Sequence, residues 1–441
     1  MNTMADPMEG MARLMEFCGI ASVSSDRKAV EQAAAWLIDT FGQFADSVSV
    51  FREDDGCATG LLLEFKGTGG ERVAFYNYYD VTPAGDESHW VSPPFTGAVR
   101  EGRLYARGAA SNKGDLVARL VAVSRLKVSG ALNHDVTFWI DGQEEAGAPN
   151  LERMLDRWAP QLSSRLVIWN TGFINDAGVP IVCTGFKGLV VLSLRISVPD
   201  ASPHSGVGLR HSAIHQLIDA VSPLLRLNGL NELRSISGMG DRLCEDNEIL
   251  ADGTGLLDIA IDQAATGVYG KRYARATRDK LIHAALFEAT ANLPWIHGGE
   301  REEVTRYAHT AECVLELRLV PSQRADDVIT ELSAYFERLG VHSEVLMKID
   351  PYMMSRADRG DVMQSISRPL EIAFGQKPSI LPIAPFSAAA GTVADRLQAV
   401  IVAVGITDSQ SSPHGFNESI SCDAFQKTVT AVSQLVGSTE C

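Results

Sequence analysis

The sequence predicts an α/β protein in which a larger domain is interrupted by a smaller α+β insertion. Short apolar runs alternate with segments of helical periodicity, which is typical of a sheet covered by helices. Clusters of polar and charged residues follow the ends of several of these runs. The chain has 441 residues, of which 45% are hydrophobic and 21% are charged, so it is long enough for two domains.

The first part of the chain has the pattern of an open sheet. Helical spacing runs from Glu31 to Phe41 and again from Leu116 to Leu126. Short buried strands are expected at Gly60–Phe65, Val73–Tyr78, Val136–Ile140 and Leu166–Trp169. Ligands of open α/β sheets bind beyond the carboxyl ends of the strands, so we expect a site where these strands end.

The middle of the chain predicts a separate unit. The expected elements are a strand at Leu189–Val198, a helix from His211 to Leu227, a strand at Cys313–Val320, a helix at Ala325–Leu339 and a strand at Ser343–Ile349. A last buried strand is expected at Ala399–Gly405. We therefore predict one domain formed by residues 1–188 and 358–441, with a second, smaller domain inserted at residues 189–357.

Composition argues against several classes of function. A formal net charge of −16 is unsuited to a nucleic-acid partner, which needs a concentrated basic surface. No run of about eighteen apolar residues is present, so we expect no membrane span. The seven cysteines lack CxxC spacing and favour a reducing compartment. Charged residues interrupt the first segment, which lacks the apolar core of a signal peptide, and we expect a soluble, cytoplasmic protein.

Five short motifs occur in a characteristic order. They are YYDVTP (Tyr78–Pro83), LYARGAASNKG (Leu104–Gly114), DGQEEAG (Asp141–Gly147), HSG (His204–Gly206) and HGFNE (His414–Glu418). Together they resemble the dinuclear zinc peptidases of the aminoacylase, carnosine dipeptidase and glutamate carboxypeptidase type, peptidase family M20. The resemblance covers nearly the whole chain, and it implies a zinc-exopeptidase-like α/β/α catalytic domain with an inserted α+β lid and dimerisation domain.

The resemblance assigns candidate roles to five residues. Asp80 matches the acidic residue that orients a metal-binding His, Glu144 matches the general base, and Glu145 matches a metal ligand. His204 matches a lid His that, in dimeric members, reaches the neighbouring subunit's active site and hydrogen-bonds the developing oxyanion. His414 matches the last metal ligand. The resemblance therefore also implies a homodimer.

Three positions depart from the family pattern. Tyr78, Ser111 and Asn170 stand where the resemblance places a His, a bridging Asp and an Asp or Glu. One metal loses every ligand, and the other keeps only Glu145 and His414. A zinc site needs three or four ligands, so we predict no metal cofactor. The alternative is one zinc on Glu145 and His414 with a third, unidentified ligand.

Substrate binding is predicted from the same comparison. Arg318 matches a lid motif that helps to place substrate. Ser387 lies in the segment Pro385–Gly391, PFSAAAG, which departs from the carboxylate-binding Gly-Gly-Ser loop of the family but is still expected to line the pocket. Asn170, Ser111 and His414 are expected to line the pocket. Structural alternatives are a salt bridge for Arg318, a packed strand residue for Tyr78, and passive fillers for Ser111 and Asn170.

Two other groups have a simpler interpretation. Cys183 lies in an apolar strand without an assigned base, which predicts a buried, unreactive thiol. His211 and His215 have metal-compatible spacing but lack the Glu of a zincin motif, which favours a solvated helix face.

Three functions follow from the sequence. The first is a metal-independent enzyme that acts on an amide bond of an amino-acid-derived or peptide-like small molecule by carboxylate acid/base catalysis, in hydrolysis, acyl transfer, condensation or cyclisation. Its catalytic residues would be Glu144, Asp80, Tyr78, His204 and Glu145. The second is a mononuclear zinc amidohydrolase or peptidase, and the third is a non-catalytic binding protein that keeps the fold.

Overall fold

The computed structural model describes residues 7–170, 172–199, 211–225, 285–300, 306–321, 323–355 and 357–437, in which the largest element is a nine-stranded mixed sheet. Its strands are β1 (Ser47–Arg52), β2 (Ala58–Phe65), β3 (Arg72–Tyr78), β6 (Asp135–Asp141), β7 (Leu166–Trp169), β8 (Phe173–Ile174), β9 (Pro180–Cys183), β15 (Ser379–Leu381) and β17 (Val400–Ala403). The order is β1-β2-β6-β3-β7-β17-β9-β15, and β8 pairs with β9. The adjacent strands β6, β3, β7 and β17 run parallel, so their carboxyl ends meet at one edge.

Helices cover both faces of this sheet. One face packs against α1 (Pro7–Cys18), α2 (Arg27–Phe41), α3 (Gly114–Ser129), α7 (Arg359–Phe374) and α9 (Cys422–Val436), and the other against α4 (Leu151–Leu162) and α8 (Ala390–Leu397). The buried residues of each face form a continuous apolar cluster. The result is the three-layer α/β/α arrangement that the sequence predicts.

Local signals set several helix ends. Asp26 caps α2 by accepting hydrogen bonds from the backbone amides of Lys28 and Ala29. Ser421 caps α9 in the same way through the amide of Ala424. Gly130 follows α3 in the left-handed conformation with φ of +73°, where a residue without a side chain is favoured.

A second, six-stranded sheet contains the middle of the chain. Its main strands are β11 (Thr290–Gly298), β12 (Thr310–Leu319), β10 (Gly185–Ser197) and β13 (His342–Ile349), in that order and antiparallel. Helices α5 (Ala213–Val221) and α6 (Ala325–Arg338) pack on it around a separate apolar cluster. The short strands β14 (Tyr352–Met353) and β16 (Ala384–Ser387) pair with the beginning of β10. This is the α+β unit expected from the sequence.

Two boundaries differ from the sequence prediction. The helix expected from His211 to Leu227 begins at Ala213 and ends at Val221, because Pro223 has no backbone N–H to continue the helical hydrogen bonds. Strand β10 begins four residues earlier than expected, since β14 and β16 pair with Gly185–Lys187. It thus runs across the predicted boundary between residues 188 and 189. The division into residues 1–188, 189–357 and 358–441 stays a prediction.

A small third sheet approaches the carboxyl edge of the large sheet. It consists of β4 (Ala98–Arg100), β5 (Arg103–Tyr105) and β18 (Ser419–Ser421), with β5 in the centre. Pairing of β5 with β18 places the segment after Tyr105 beside the segment before Ser419. These segments contain Ser111 and His414, so the third sheet joins two of the sequence motifs.

A buried arginine ties the helical layer to the large sheet. Arg119 on α3 is 1% exposed and donates to Asn77 Oδ1 at 3.0 Å, to the Trp169 carbonyl at 3.2 Å and to the Val404 carbonyl at 2.6 Å. Asn77 in turn donates to Asn112 Oδ1 at 2.5 Å. The arginine therefore fixes the ends of β3, β7 and β17 relative to each other.

Replacing this arginine is expected to be strongly destabilising. Arg119→Met leaves three buried acceptors without their donor, so the free energy of unfolding should fall by about 3–5 kcal/mol. Arg195→Met is the matched control, because Arg195 is 65% exposed, and its loss should change stability by less than about 0.5 kcal/mol. Urea denaturation followed by circular dichroism measures both values. Equal unfolding midpoints for the two variants would contradict the prediction.

Candidate functional site

The carboxyl ends of three adjacent parallel strands bring together the polar residues predicted from the motifs. Tyr78 ends β3, Asp141 ends β6, and Asn170 directly follows β7. Ser111 lies in the short helical turn Ala109–Lys113 before α3, in which the Ser111–Asn112 peptide bond is cis. His414 lies in the loop that precedes β18.

A chain of hydrogen bonds joins four of the predicted residues. The hydroxyl oxygens of Tyr78 and Ser111 are 2.6 Å apart. Ser111 Oγ lies 3.2 Å from His414 Nε2, which is also 2.9 Å from Glu145 Oε1. Tyr78 and Ser111 are buried, whereas the His414 side chain is about half exposed. Polar contacts thus link the buried end of β3 to the surface loop of His414.

Asp80 has a different partner from the one that the resemblance suggests. Its carboxylate accepts hydrogen bonds from the backbone amides of Glu144 at 3.1 Å and Glu145 at 3.0 Å, and from Ser24 Oγ at 2.7 Å. Position 78 is Tyr rather than His in this chain, and the described contacts of Asp80 hold the Glu144–Ala146 turn. Asp80 therefore orients both glutamates through their backbone.

The carboxyl groups at this edge resist ionisation. Burial, and then the negative charge of Asp141, raise the pKa of Asp80 to about 7. Burial also raises the pKa of Asp141 to about 7. The carboxyl of Glu144 is enclosed although the residue is only partly buried, and burial followed by the charge of Glu145 raises its pKa well above the usual value. Neutral and ionised carboxyl groups are therefore available side by side.

Asn170 lies next to this acidic group. Its amide favours the ionised form of Glu144 and so lowers the pKa of that carboxyl, against the effect of burial. Asn170 is 3% exposed, and its Nδ2 has no hydrogen-bond partner at normal distance among the residues described. A buried amide beside a carboxyl is suited to receive a polar substrate atom.

His414 does not complete a nucleophilic triad with Ser111. The hydrogen bond to Glu145 raises the pKa of His414 and favours its protonated form. Both Ser111 Oγ and Glu145 Oε1 contact the same ring nitrogen, Nε2. A triad needs the base to contact its nucleophile and its carboxylate through different nitrogens. The arrangement therefore does not support nucleophilic attack by Ser111.

The side chains at this edge do not fit a dinuclear zinc centre. Two of the positions that match metal ligands hold neutral hydroxyls, Tyr78 and Ser111, which bond to each other, and a third holds the neutral amide of Asn170. Within the described residues, no group of three or more His, Cys, Asp or Glu side chains is arranged to hold a metal ion. Glu145 and His414 supply two ligands, fewer than zinc sites use.

Arg318 and Ser387, the two predicted lid and loop residues, contact each other. Arg318 Nη1 donates to Ser387 Oγ at 2.9 Å, and its Nε donates to Glu316 Oε1 at 2.8 Å. Lys187 lies nearby, where burial and then the charge of Arg318 lower its pKa to about 7. The salt-bridge alternative for Arg318 is thus present. Substrate binding by Arg318 and Ser387 stays a prediction.

Other predicted residues are placed as follows. His204 lies outside the described residues. Cys183 is fully buried, and burial raises the pKa of its thiol to about 12, in agreement with an unreactive side chain. His211 and His215 stack with ring centroids 5.6 Å apart, and His215 Nδ1 lies 2.8 Å from Ser212 Oγ.

Four residues near the site were missed by the sequence reasoning. Asp141, Arg107 and Glu418 lie inside the quoted motifs, and that position was the available signal. Ser24 has no motif, and only its contact with Asp80 identifies it. Arg107 and Glu418 form a fully buried ion pair at 2.7 Å.

Comparison with known proteins agrees with the motifs. The model of the family described as Peptidase family M20/M25/M40 matches residues 74–438. The chain is 24% identical over 286 residues to the Saccharomyces cerevisiae protein named Probable di- and tripeptidase DUG2, and 25% identical over 276 residues to Beta-Ala-His dipeptidase of Rattus norvegicus. These alignments cover 63% and 60% of this chain, but only 31% and 55% of the two relatives.

A solved structure shares the fold over nearly the whole length. An M20 family metallo-carboxypeptidase from Sulfolobus solfataricus superposes with a TM-score of 0.81 at 24% identity, and the match covers 97% of this chain and 98% of the other. No helix in the described part of the chain has the length and hydrophobicity needed to span a membrane. The matched family model spans most of the sequence, and the predicted fold agrees with the solved structure. The chain belongs to peptidase family M20/M25/M40.

Proposed function

We propose that this protein acts on an amide bond of a small amino-acid-derived or peptide-like substrate, by carboxylate acid/base catalysis that does not use a metal centre. The hydrogen-bonded chain Tyr78–Ser111–His414–Glu145, beside the carboxyl groups of Glu144 and Asp80, carries this proposal. Peptide hydrolysis is the favoured reaction, since both relatives are named as peptidases. Acyl transfer, condensation and cyclisation use the same groups.

Glu144 is the proposed acid and base. In hydrolysis its carboxylate removes a proton from the attacking water and then donates that proton to the leaving nitrogen. The raised pKa of Glu144 makes its carboxylate a stronger base than that of an exposed glutamate. Asp80 assists by fixing the backbone amides of Glu144 and Glu145.

Tyr78 is proposed as a hydrogen-bond donor to the substrate carbonyl oxygen, where negative charge develops during attack. In this arrangement a protonated His414 donates its single Nε2 hydrogen to Glu145, and Ser111 donates its hydroxyl hydrogen to the Tyr78 oxygen. His204 is proposed as a second donor from the lid.

Substrate recognition is proposed for a second set of residues. Asn170 and Ser111 offer polar atoms inside the pocket, and Arg318 with Ser387 offers a positive charge beside a hydroxyl. Such a pair suits a substrate carboxylate.

A homodimer and a cytoplasmic location are proposed on the sequence alone. The non-catalytic alternative predicts that variants of Glu144 and His204 lose only ligand affinity, because the wild type has no turnover to lose.

Glu144→Gln is expected to lower turnover by about 10²–10⁴-fold, because glutamine keeps the shape of the side chain but cannot accept a proton. Amine release from a panel of dipeptides and N-acyl amino acids that includes β-alanyl-histidine, followed by mass spectrometry, measures this. Glu152→Gln on α4 is the control, since the Glu152 side chain is 68% exposed. Turnover by Glu144→Gln at the wild-type rate would make the base assignment wrong.

Measuring the metal content of the protein tests the proposal that the site works without a metal ion. Protein purified without chelator, and again after zinc incubation and desalting, should contain about zero zinc per chain by elemental mass spectrometry, because two ligands hold zinc weakly. A variant with Tyr78→His, Ser111→Asp and Asn170→Asp supplies the missing ligands and should retain zinc. About one tightly held zinc in the wild type would restore the mononuclear hydrolase, with Glu145 and His414 as ligands.

The free energy of unfolding should fall as the pH rises from about 4 to 7. The folded protein keeps Asp80 and Asp141 protonated up to about pH 7, whereas the unfolded chain releases these protons near pH 3.8. Between these values the folded state binds more protons, so raising the pH favours unfolding. The slope of the free energy of unfolding against pH, measured by urea denaturation, should become shallower in Asp141→Asn by up to about 1.4 kcal/mol per pH unit.

Asp46→Asn is the control for this measurement. Asp46 pairs with Lys127, and its pKa is lowered by that hydrogen bond and by the backbone amide of Lys66, against a burial effect that raises it. Its titration therefore lies below the window from pH 4 to 7, and the variant should keep the wild-type slope. A wild-type stability that increases steadily from pH 4 to 7 would refute the assignment of raised pKa values.

A further inference from the structure

A buried ion pair lies behind the candidate site and has no role in the proposed reaction. Arg107 Nη1 and Glu418 Oε2 are 2.7 Å apart, and their side chains are 2% and 0% exposed. The guanidinium of Arg107 also lies over the ring of Trp90, 5.2 Å from its centroid. Isolated charges are costly at such depth, so each partner depends on the other and on further hydrogen bonds.

The Glu418 carboxylate holds the backbone of the Ser111 turn. Its Oε2 accepts from the amide of Gly108 at 2.9 Å, and its Oε1 accepts from the amides of Ala110 at 2.8 Å and Ser111 at 2.9 Å. With Arg107, four donors surround the two oxygens. The amide of Ser111 is therefore fixed next to the hydroxyl that contacts Tyr78 and His414.

Arg107 holds the other side of the site. Its Nη2 donates to the His414 carbonyl and to the Pro83 carbonyl, each at 3.2 Å. His414 has a φ of +61°, a left-handed conformation that non-glycine residues adopt at an energetic cost. The contact with Arg107 fixes this residue by its carbonyl, so the imidazole can face Ser111 and Glu145.

We infer that the Arg107–Glu418 ion pair is the positioning device of the site, which sets the spacing between Ser111 Oγ and His414 Nε2. Glu418 acts on the Ser111 turn, and Arg107 acts on the His414 loop. The inference rests on the proposed function for its effect on turnover. It predicts that changing either partner displaces the His414 ring and that changing Glu418 also displaces the Ser111 turn, whereas a merely structural ion pair predicts only lower stability.

The test uses the full chain and two variants. Glu418→Gln keeps the side-chain shape but leaves one oxygen for four donors, so it should disturb both Ser111 and His414. Arg107→Lys keeps a charge for Glu418 but cannot also reach the His414 carbonyl, so it should disturb His414 alone. Leu192→Ala, in the apolar cluster of the six-stranded sheet, is the control for general destabilisation.

The first readout needs no substrate. The ¹⁵N chemical shifts of the His414 ring, assigned with His414→Asn in ¹⁵N-histidine-labelled protein at fixed pH, report the bonds at Nε2. They should move in Glu418→Gln and Arg107→Lys but not in Leu192→Ala. Unchanged shifts in folded variants, confirmed by circular dichroism, would overturn the inference, and so would an equal movement in Leu192→Ala. If Glu418→Gln does not fold, the His414 chemical shifts of Arg107→Lys alone decide whether the inference holds.

The second readout is turnover of the amide probe that the wild type cleaves best. A displacement of about 1 Å should lower kcat by about 10²-fold in Glu418→Gln, and Leu192→Ala should keep the wild-type kcat. If Glu418→Gln and Arg107→Lys both kept the wild-type kcat, the inference would be overturned. Failure of the proposed function appears separately, as absence of amide turnover by the wild type, and the chemical shifts then still decide the positioning role.

Discussion

Enclosed negative charge at the carboxyl edge of the large sheet is the constraint on which the site depends. Asp80, Asp141 and Glu144 lie close together, and burial makes simultaneous ionisation costly. Protonation removes part of this charge, and hydrogen-bond donors stabilise the rest. Replacement of acidic residues by Ser111 and Asn170, at positions that match metal ligands, avoids adding further carboxylates. The neutral residues at these positions therefore add no further negative charge that would raise the pKa values of the neighbouring carboxyl groups.

A neutral hydrogen bond such as that between Tyr78 and Ser111 contributes only about 1 kcal/mol, and the His414 side chain that bonds Glu145 is half exposed. The chain from Tyr78 to Glu145 therefore cannot by itself hold the loops that carry it. Two carboxylates perform this task through the backbone. Asp80 accepts the amides of the turn that begins at Glu144, and Glu418 accepts the amides around Ser111. In each case an acidic side chain replaces missing local structure. The order of the site thus comes from backbone contacts between distant segments.

The sequence predicted the strands well because each is a short buried run with a clear end. Strands β3 and β7 match the expected ranges within one residue, and their parallel pairing explains why the motif residues meet. The extent of β10 was not predictable, since it depends on pairing with β14 and β16. Local periodicity contains no information on such contacts.

The same reason explains which site residues were found. Glu144, Glu145 and His414 belong to motifs whose chemistry is visible in the sequence, whereas the roles of Arg107 and Glu418 depend on a contact across 311 positions. Ser24 reaches Asp80 across 56 positions and has no motif of its own. Long-range polar contacts between buried residues are therefore the part of this site that required the fold.

Membership of a peptidase family fixes the scaffold, but the groups around the substrate carbonyl decide the chemistry. In the proposed reaction a hydrogen bond from Tyr78 polarises the carbonyl less than a divalent ion would, since the hydroxyl carries only a partial charge. That reaction therefore depends more on proton transfer at Glu144 and on accurate placement of the substrate. Accurate placement requires rigid loops. A site of this kind therefore has more need of backbone-holding carboxylates such as Asp80 and Glu418 than one whose loops are joined through metal ions.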